Sequence, residues 1–197
     1  GVVVTDGRGS PRGGIYGHYS DEEMRLVHFK EQRKAAYLGE YAAQVMLDFP
    51  SKMIKSAVEL GPVADIVKLL KTTQPETVFT HNLTDKHDTH VAVTLRVIAA
   101  IRSLPADQRP AKLYGCEVWR DLDWMLDQDK IAFDTSAHES LQIALIGVFD
   151  SQIAGGKRYD LATMGRRRAN ATYAQSHGVD TSTGVTYGMD LTPLIID

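Results

Sequence analysis

Runs of β-branched and apolar residues alternate along this chain with stretches in which apolar residues recur at helical spacing. The opening run from Gly1 to Thr5 is typical of a buried parallel strand. Short apolar runs around Val45 to Leu47 and around Val78 and Phe79 predict two more strands. Apolar stretches around 113–119 and 131–133 predict the last two. The pattern therefore predicts strands spread over the first two thirds of the chain.

Amphipathic helices are predicted in the intervals between and after these strands. The first begins at a capping box formed by Ser20 and Glu23 and ends near Gly39, a residue suited to a helix C-terminus. The second begins at Gly61-Pro62, because proline fits the first turn of a helix. The remaining predicted helices cover Val91 to Ile101, His138 to Phe149 and Tyr159 to Gln175.

The alternation of strand and helix predicts an α/β fold of three layers, Rossmann-like, with a mostly parallel sheet flanked by helices. No internal repeat or linker divides the sequence, and 43% of its 197 residues are hydrophobic. That length and composition can bury a sizeable core, so we expect a single domain over residues 1–197.

Charge and cysteine content exclude several classes of protein. The formal net charge is −3, which gives no general attraction to nucleic acid, and no apolar run is long enough to span a membrane. The single cysteine, Cys116, excludes a disulfide framework and a cysteine zinc site. It is expected in the core and fits a reducing compartment, which favours a cytoplasmic location.

The run Asp85-Lys86-His87-Asp88-Thr89-His90 is the strongest candidate for chemistry. It follows the strand around Phe79, and open α/β sheets bind ligands at the carboxyl ends of their strands. Imidazoles bind metal ions, and carboxylates beside them orient the rings. His81 ends the same strand and is expected to line the same opening. The alternative is a polar turn in which Asp88 or Thr89 caps the next helix.

Other polar and aromatic residues are weaker candidates. The glycine-rich loop at 6–14 lacks both the G-x-G-x-x-G order and a Walker lysine, which argues against a nucleotide site. Arg8 in this loop could contact a substrate. Trp119 and Trp124 could rim a pocket of the size of a sugar, although packing in the core or at the sheet edge is the simpler interpretation.

Five segments, taken in order, resemble the PIG-L/LmbE superfamily of zinc-dependent N-acetylglucosaminyl deacetylases. They are Val4-Thr5-Asp6-Gly7; Glu31 with Ala35-Ala36 and Leu38-Gly39; Asp85 to His90; Asp134-Thr135-Ser136 with Asp150-Ser151-Gln152; and Val185-Thr186-Tyr187-Gly188. The resemblance covers nearly the whole chain. It implies zinc-dependent hydrolysis of the acetamide of an N-acetylglucosamine-like sugar, with Zn²⁺ as the cofactor and a small-molecule sugar as the partner.

The resemblance also implies roles for individual residues. His90 matches the histidine that binds zinc, and His87 matches the one that stabilises the oxyanion or donates a proton. Thr89 replaces the aspartate that usually partners this catalytic histidine, so Asp85 or Asp88 is expected to orient His87. The residues expected to contact substrate are Arg8, His28, which stands where the family has an arginine, His81 and Gln152.

The sequence departs from the family pattern at other places too. The family's remaining zinc ligands and its general base lie in a His-Pro-Asp-Asp run, which we expect upstream of Gly1. Met189 replaces the terminal glutamate. Two alternatives therefore stay open: a degenerate, non-catalytic carbohydrate-binding member, and a metal-dependent amidase acting on a substrate other than a sugar. Assembly into a homo-oligomer also stays open.

Overall fold

A computed structural model describes residues 1–196 and confirms the α/β fold. The strands are β1 (Val2–Thr5), β2 (Val45–Phe49), β3 (Thr77–His81), β4 (Lys112–Cys116), β5 (Lys130–Asp134) and β6 (Val185–Asp190). The helices are α1 (Asp21–Leu38), α2 (Ser51–Lys55), α3 (Gly61–Thr73), α4 (Asp88–Arg102), α5 (Glu139–Gly147), α6 (Asp150–Ala154) and α7 (Tyr159–Ala171).

The strands form two sheets. In the smaller sheet β1 and β2 are parallel. The larger sheet has the strand order β3-β4-β6-β5. In it β3 and β4 are parallel, with His81 opposite Cys116, whereas β4 and β6 are antiparallel, with Tyr114 opposite Asp190. The larger sheet is therefore mixed rather than all parallel, and its strand β6 was not predicted.

The chain divides into two compact units, each built from separate stretches of sequence. The first unit contains residues 1–50 and 134–186. In this unit α1 packs against α5 and α6, and α7 packs against the same two helices. Buried apolar side chains in this unit include Val4, Met24, Ala35, Met164 and Ala171. The unit therefore has a core of its own, drawn from two separate stretches of the sequence.

The second unit contains residues 51–133 and 187–196, and it carries most of the larger sheet. Helix α4 packs on β3, and both α2 and α3 pack on α4. Its buried apolar side chains include Ile54, Ile101, Leu104, Leu113 and Ile195. The arrangement places the end of β3 and the start of α4 side by side.

Several local predictions are confirmed and some need correction. The capping box is present, with Ser20 as the N-cap of α1 and reciprocal hydrogen bonds to Glu23, and Gly39 is the C-cap. The helix predicted from His138 to Phe149 is instead α5, which ends at Gly147, followed by the separate helix α6. The helix predicted to reach Gln175 ends four residues earlier, at Ala171.

Candidate metal and catalytic site

The link between β3 and α4 is held by buried polar side chains. Asn82 is fully buried; its carbonyl oxygen accepts hydrogen bonds from the main chain and hydroxyl of Thr84, and its amide donates to the carbonyl of Cys116. Thr94, also fully buried, donates its hydroxyl to the carbonyl of His81 at 2.7 Å. These bonds fix the end of the strand relative to the first turns of the helix.

Three imidazole rings stack at this position. The rings of His81 and His90 are nearly parallel, with centroids 3.9 Å apart, and those of His87 and His90 lie 4.6 Å apart. The ring of Trp119 is nearly parallel to His87 and His90, at 6.4 and 5.9 Å. The structure thus brings together the three histidines that the sequence analysis assigned to one opening.

Asp85 is the centre of the hydrogen-bond network around these rings. Its side chain is completely buried, yet Oδ1 accepts from the main chain of His87 and the indole of Trp119, both at 2.8 Å. Oδ2 lies 3.0 Å from Nδ1 of His90. Burial alone would raise the pKa of Asp85, but the bonds from Trp119, His87 and His90 outweigh it and lower the pKa. Asp85 is therefore a carboxylate at neutral pH.

The ionised state of Asp85 determines which nitrogen of His90 carries a proton. A carboxylate only accepts hydrogen bonds, so Nδ1 of His90 must donate to it, and in the neutral ring Nε2 is then free as an acceptor or metal ligand. Burial, helped by the adjacent His90 and opposed by Asp85, lowers the pKa of His81 to about 4. His81 can therefore offer a neutral nitrogen, the form that binds metal.

His87 is the N-cap of α4, whereas the alternative interpretation of the motif had Asp88 or Thr89 in that position. Its Nδ1 accepts a hydrogen bond from the main chain of Thr89 at 3.3 Å, so in the neutral ring the proton is on Nε2. The ring is about half exposed. Asp88 is more exposed than His87, lies 3.6 Å from Nδ1 of His87 and pairs with Lys55 at 3.0 Å.

That Asp85 or Asp88 orients His87 stays a prediction, and Asp85 contacts this residue through its main chain. Asp85 bonds to the main chain of His87, and its side-chain partner among the histidines is His90. The physical reason is the cap: Nδ1 of His87 is already used by the start of α4. The main chain of Thr89, rather than an aspartate side chain, therefore makes the closest polar contact with this ring nitrogen.

The donor groups of His81, Asp85 and His90 can hold a metal ion. One ligand atom from each lies within 4.8 Å of the others. Two imidazole nitrogens and a carboxylate oxygen form a set that zinc accepts. Because Asp85 already takes three hydrogen bonds, one of them from His90, its carboxylate suits a place behind His90, and the nitrogens of His81 and His90 are the open donors of this set.

The other residues expected to contact substrate lie in the first unit. Arg8 pairs with Asp6 and Glu22, each at 2.9 Å, so its guanidinium is already engaged. Gln152 lies in α6, half-buried. Their roles, and those of the other assigned residues, stay predictions.

His28 lies on α1, with Nδ1 at 3.2 Å from the buried carboxylate of Glu31. Its Nε2 is buried and has no hydrogen-bond partner within residues 1–196. The ring lies so close to Gly7, which has a φ of +71°, that a Cβ there would stand 2.5 Å from the ring. Glycine is therefore required at this turn both for its backbone angle and for the approach of His28.

Two residues of the loop after β4 were not foreseen as parts of this site. The sequence suggested Trp119 for a pocket rim or for packing, but its indole N–H donates a hydrogen bond to Asp85, the carboxylate at the centre of the site. Glu117 holds the loop itself, because its carboxylate accepts from the main chains of Arg120 and Leu122 and from the indole of Trp124. Cys116 precedes this loop, and burial raises the pKa of its thiol to about 11, which favours the neutral thiol over the thiolate at neutral pH.

Comparison with known families identifies one match. The sequence profile of the PIG-L family, described as GlcNAc-PI de-N-acetylase, matches residues 1–101. No curated protein sequence matches the chain. None of the helices within residues 1–196 is both long enough and apolar enough to cross a membrane.

Several solved structures share the fold. The 4-carboxy-2-hydroxymuconate hydratase GalB of Pseudomonas putida KT2440 superposes with a TM-score of 0.69 at 13% identity, over 96% of this chain and 82% of its own. The conserved protein TT1542 of Thermus thermophilus gives 0.65 at 16% identity, over 96% and 80%. The N,N′-diacetylchitobiose deacetylase of Pyrococcus horikoshii gives 0.61 at 15% identity, over 94% and 71%. The TM-scores establish a shared fold, whereas the identities are too low to show a shared function. The printed names of these proteins include both a hydratase and a deacetylase, so this fold carries more than one reaction.

Proposed function

This chain belongs to the PIG-L family, and on that basis we propose that it is a zinc-dependent N-deacetylase of an N-acetylglucosamine-like sugar. The observation that carries the proposal is the cluster of His81, Asp85 and His90, with His87 stacked beside it. Hydrolysis of an amide can use a metal ion to polarise the carbonyl and activate water, and an adjacent histidine N–H to stabilise the developing charge.

His90 is proposed as a zinc ligand through Nε2, and His81 is the neighbouring imidazole that can join it. Asp85 accepts the hydrogen bond from Nδ1–H of His90 and so fixes the orientation of the ring, with Nε2 on the opposite side. When bound, Zn²⁺ polarises the amide carbonyl and lowers the pKa of a coordinated water towards about 7.

His87 is proposed to act on the reacting amide. The cap at Nδ1 leaves the proton on Nε2, and the half-exposed ring can donate it outwards. Such a donor stabilises the oxyanion that forms when the carbonyl is attacked. To pass a proton to the leaving amine, the ring would first take a second proton on Nδ1 and give up the bond from Thr89. Asp88 lies 3.6 Å from Nδ1 of His87 and pairs with Lys55, so this ion pair would influence the charge beside the ring of His87.

Substrate contacts are proposed for Arg8, His28 and Gln152 from the family resemblance, together with the metal-site neighbour His81. Three of the proteins with a similar fold are named as deacetylases, which supports the reaction class. A small-molecule sugar is accordingly the proposed partner.

The test compares two histidine variants in the full encoded protein. His90→Ala should lose bound zinc and activity together, because a ligand is removed. His87→Ala should keep zinc but lose roughly 10²–10⁴ in turnover, the usual contribution of one acid–base or oxyanion group. The measurements are release of acetate from N-acetylglucosamine derivatives and zinc content per chain.

His177→Ala is the matched control, because His177 is exposed in the loop after α7. It should retain both zinc and turnover. Near-full turnover of zinc-loaded His87→Ala would overturn the role of His87. Unchanged zinc content in His90→Ala would overturn the metal site.

A further inference from the structure

Trp119 is placed by its own loop rather than by the site that it contacts. Glu117 gathers the main chains of Arg120 and Leu122, and the side chain of Leu122 is fully buried. Two residues of the loop, Asp121 and Leu122, have positive φ values of 54° and 58°, so the turn is specific rather than extended. The main chain that follows Trp119 is therefore held by bonds that do not involve Asp85.

The indole meets the site through both its N–H group and its faces. Nε1 donates to Oδ1 of Asp85 at 2.8 Å, and an indole nitrogen can only donate. The ring plane is within 18° of His90, and the ammonium of Lys86 lies 5.0 Å from the ring centroid of Trp119. Trp119 therefore fixes one oxygen of the carboxylate whose other oxygen bonds to His90.

We propose that Trp119 is a positioning residue that, through Asp85, holds His90 in the orientation and the Nδ1–H tautomer that present Nε2 to a metal ion. The geometry is a chain of two hydrogen bonds, from the indole to Oδ1 and from Nδ1 of His90 to Oδ2. Without the indole N–H, Oδ1 keeps the bond from the main chain of His87 but loses the one from the loop after β4, so the carboxylate is less firmly held against rotation and the ring of His90 has a less fixed partner. The inference rests on the metal-binding role of His90 in the proposed function.

Trp119→Phe tests the inference, because it keeps a flat ring beside the imidazoles and removes the N–H. The matched control is Trp124→Phe, which removes a second indole from the same loop; that indole bonds to Glu117 and is partly exposed. The first readout uses ¹⁵N-histidine-labelled, metal-free full-length protein. Long-range ¹H–¹⁵N spectra should report the Nδ1–H tautomer for His90 in the unmodified protein and in Trp124→Phe, and a mixture of tautomers in Trp119→Phe.

The second readout is zinc affinity, measured by competition with a chromophoric chelator. Trp119→Phe should weaken zinc binding about tenfold, the scale found when outer partners of metal ligands are removed. Trp124→Phe should leave the affinity unchanged. A purely structural role for Trp119 would lower stability in denaturant but leave the tautomer and the affinity as they were, and that result would overturn the inference.

A third measurement needs no substitution and holds if Trp119→Phe fails to fold. In the unmodified protein the indole N–H of Trp119 should exchange with solvent much more slowly than that of Trp124. Equal exchange rates would overturn the inference. A change of tautomer in Trp119→Phe, in a protein without deacetylase activity, would support the inference and contradict only the proposed function.

Discussion

Glu31 shows how a single buried carboxylate can join distant parts of the sequence. Its side chain is 8% exposed, and it accepts from the main chain of Ser151 at 2.7 Å and from the hydroxyl of Ser151 at 2.8 Å. Ser151 lies in the first turn of α6 and is completely buried. A buried carboxylate is tolerated only with such partners, so the pair is expected to be coupled energetically.

We predict that Glu31→Gln destabilises the protein by about 2–3 kcal/mol, since an amide nitrogen then faces one of the two donors of Ser151. Ser151→Ala removes only the hydroxyl and should cost about 1–2 kcal/mol. The free energies of unfolding would be measured in urea, with Glu40→Gln at an exposed position as the control. A Glu31→Gln variant as stable as the unmodified protein would show that the buried carboxylate has no such role.

At this scale the sequence predicted some contacts and missed others for a physical reason. His81 ends β3, and His87 and His90 follow within ten residues, so their convergence could be expected from the end of that strand. Trp119 reaches Asp85 across 34 positions, and no local pattern signals such a bond. The cap by His87 was missed because serine, threonine, aspartate and asparagine are the usual N-cap residues.

The junction between β3 and α4 is the element-scale feature on which the site depends. Thr94 is buried one turn beyond His90, and its hydroxyl lies 2.7 Å from the carbonyl of His81 and 3.1 Å from that of His90. One hydroxyl thus ties the helix to the carboxyl end of the strand. The bond to the carbonyl of His90 lies within the helix and is common for threonine, whereas the bond to the carbonyl of His81 joins the helix to the strand.

We predict that Thr94→Val, which keeps the shape of the side chain, lowers the free energy of unfolding by about 1–2 kcal/mol because the His81 carbonyl loses its partner. Thr72→Val is the matched control. Thr72 is exposed on α3 and bonds only to the carbonyl four residues earlier, so its replacement should change stability by less than about 0.5 kcal/mol. Equal effects of the two substitutions in urea denaturation would show that the link to β3 contributes nothing.

Elements with complete local signals were predicted well, and those that depend on partners were not. The capping box of α1 and the proline start of α3 are both present where the sequence placed them. Strand β6 was not predicted, because the strand signal of Val185 to Tyr187 is cut short by Gly188, and the strand continues through Met189 and Asp190, which pair with β4. The division between α5 and α6 depends on the chain bending at Phe149, which helical spacing does not reveal.

At the scale of the whole molecule, the units are interleaved along the sequence. The chain passes from one unit to the other after residues 50, 133 and 186, and strands β5 and β6 both run across these boundaries. Neither unit is a continuous stretch of sequence, and for this reason we propose that residues 1–197 form one domain.

We predict that the two units unfold in one cooperative transition. Trp119 and Trp124, the only tryptophans of the sequence, both belong to the second unit, so their fluorescence reports on that unit alone. Far-UV circular dichroism reports on helices of both units. The midpoints of the two probes in urea should coincide, because a two-state domain gives one transition for every probe. Separate midpoints would show that the units are independent domains.

Zinc should stabilise the whole chain if the site binds it in the folded state only. A ligand at 100 times its dissociation constant adds about 2.7 kcal/mol to the free energy of unfolding, so the melting temperature should rise with zinc and return when EDTA removes it. His90→Ala should abolish the rise, whereas His177→Ala should preserve it. The sequence has seven histidines, and each variant lacks one, so zinc binding to the unfolded chain is matched between them. The difference between the variants therefore measures the folded site alone. If zinc raised the melting temperatures of His90→Ala and His177→Ala equally, the bound zinc would not be held by His90, and the proposed metal site would be wrong.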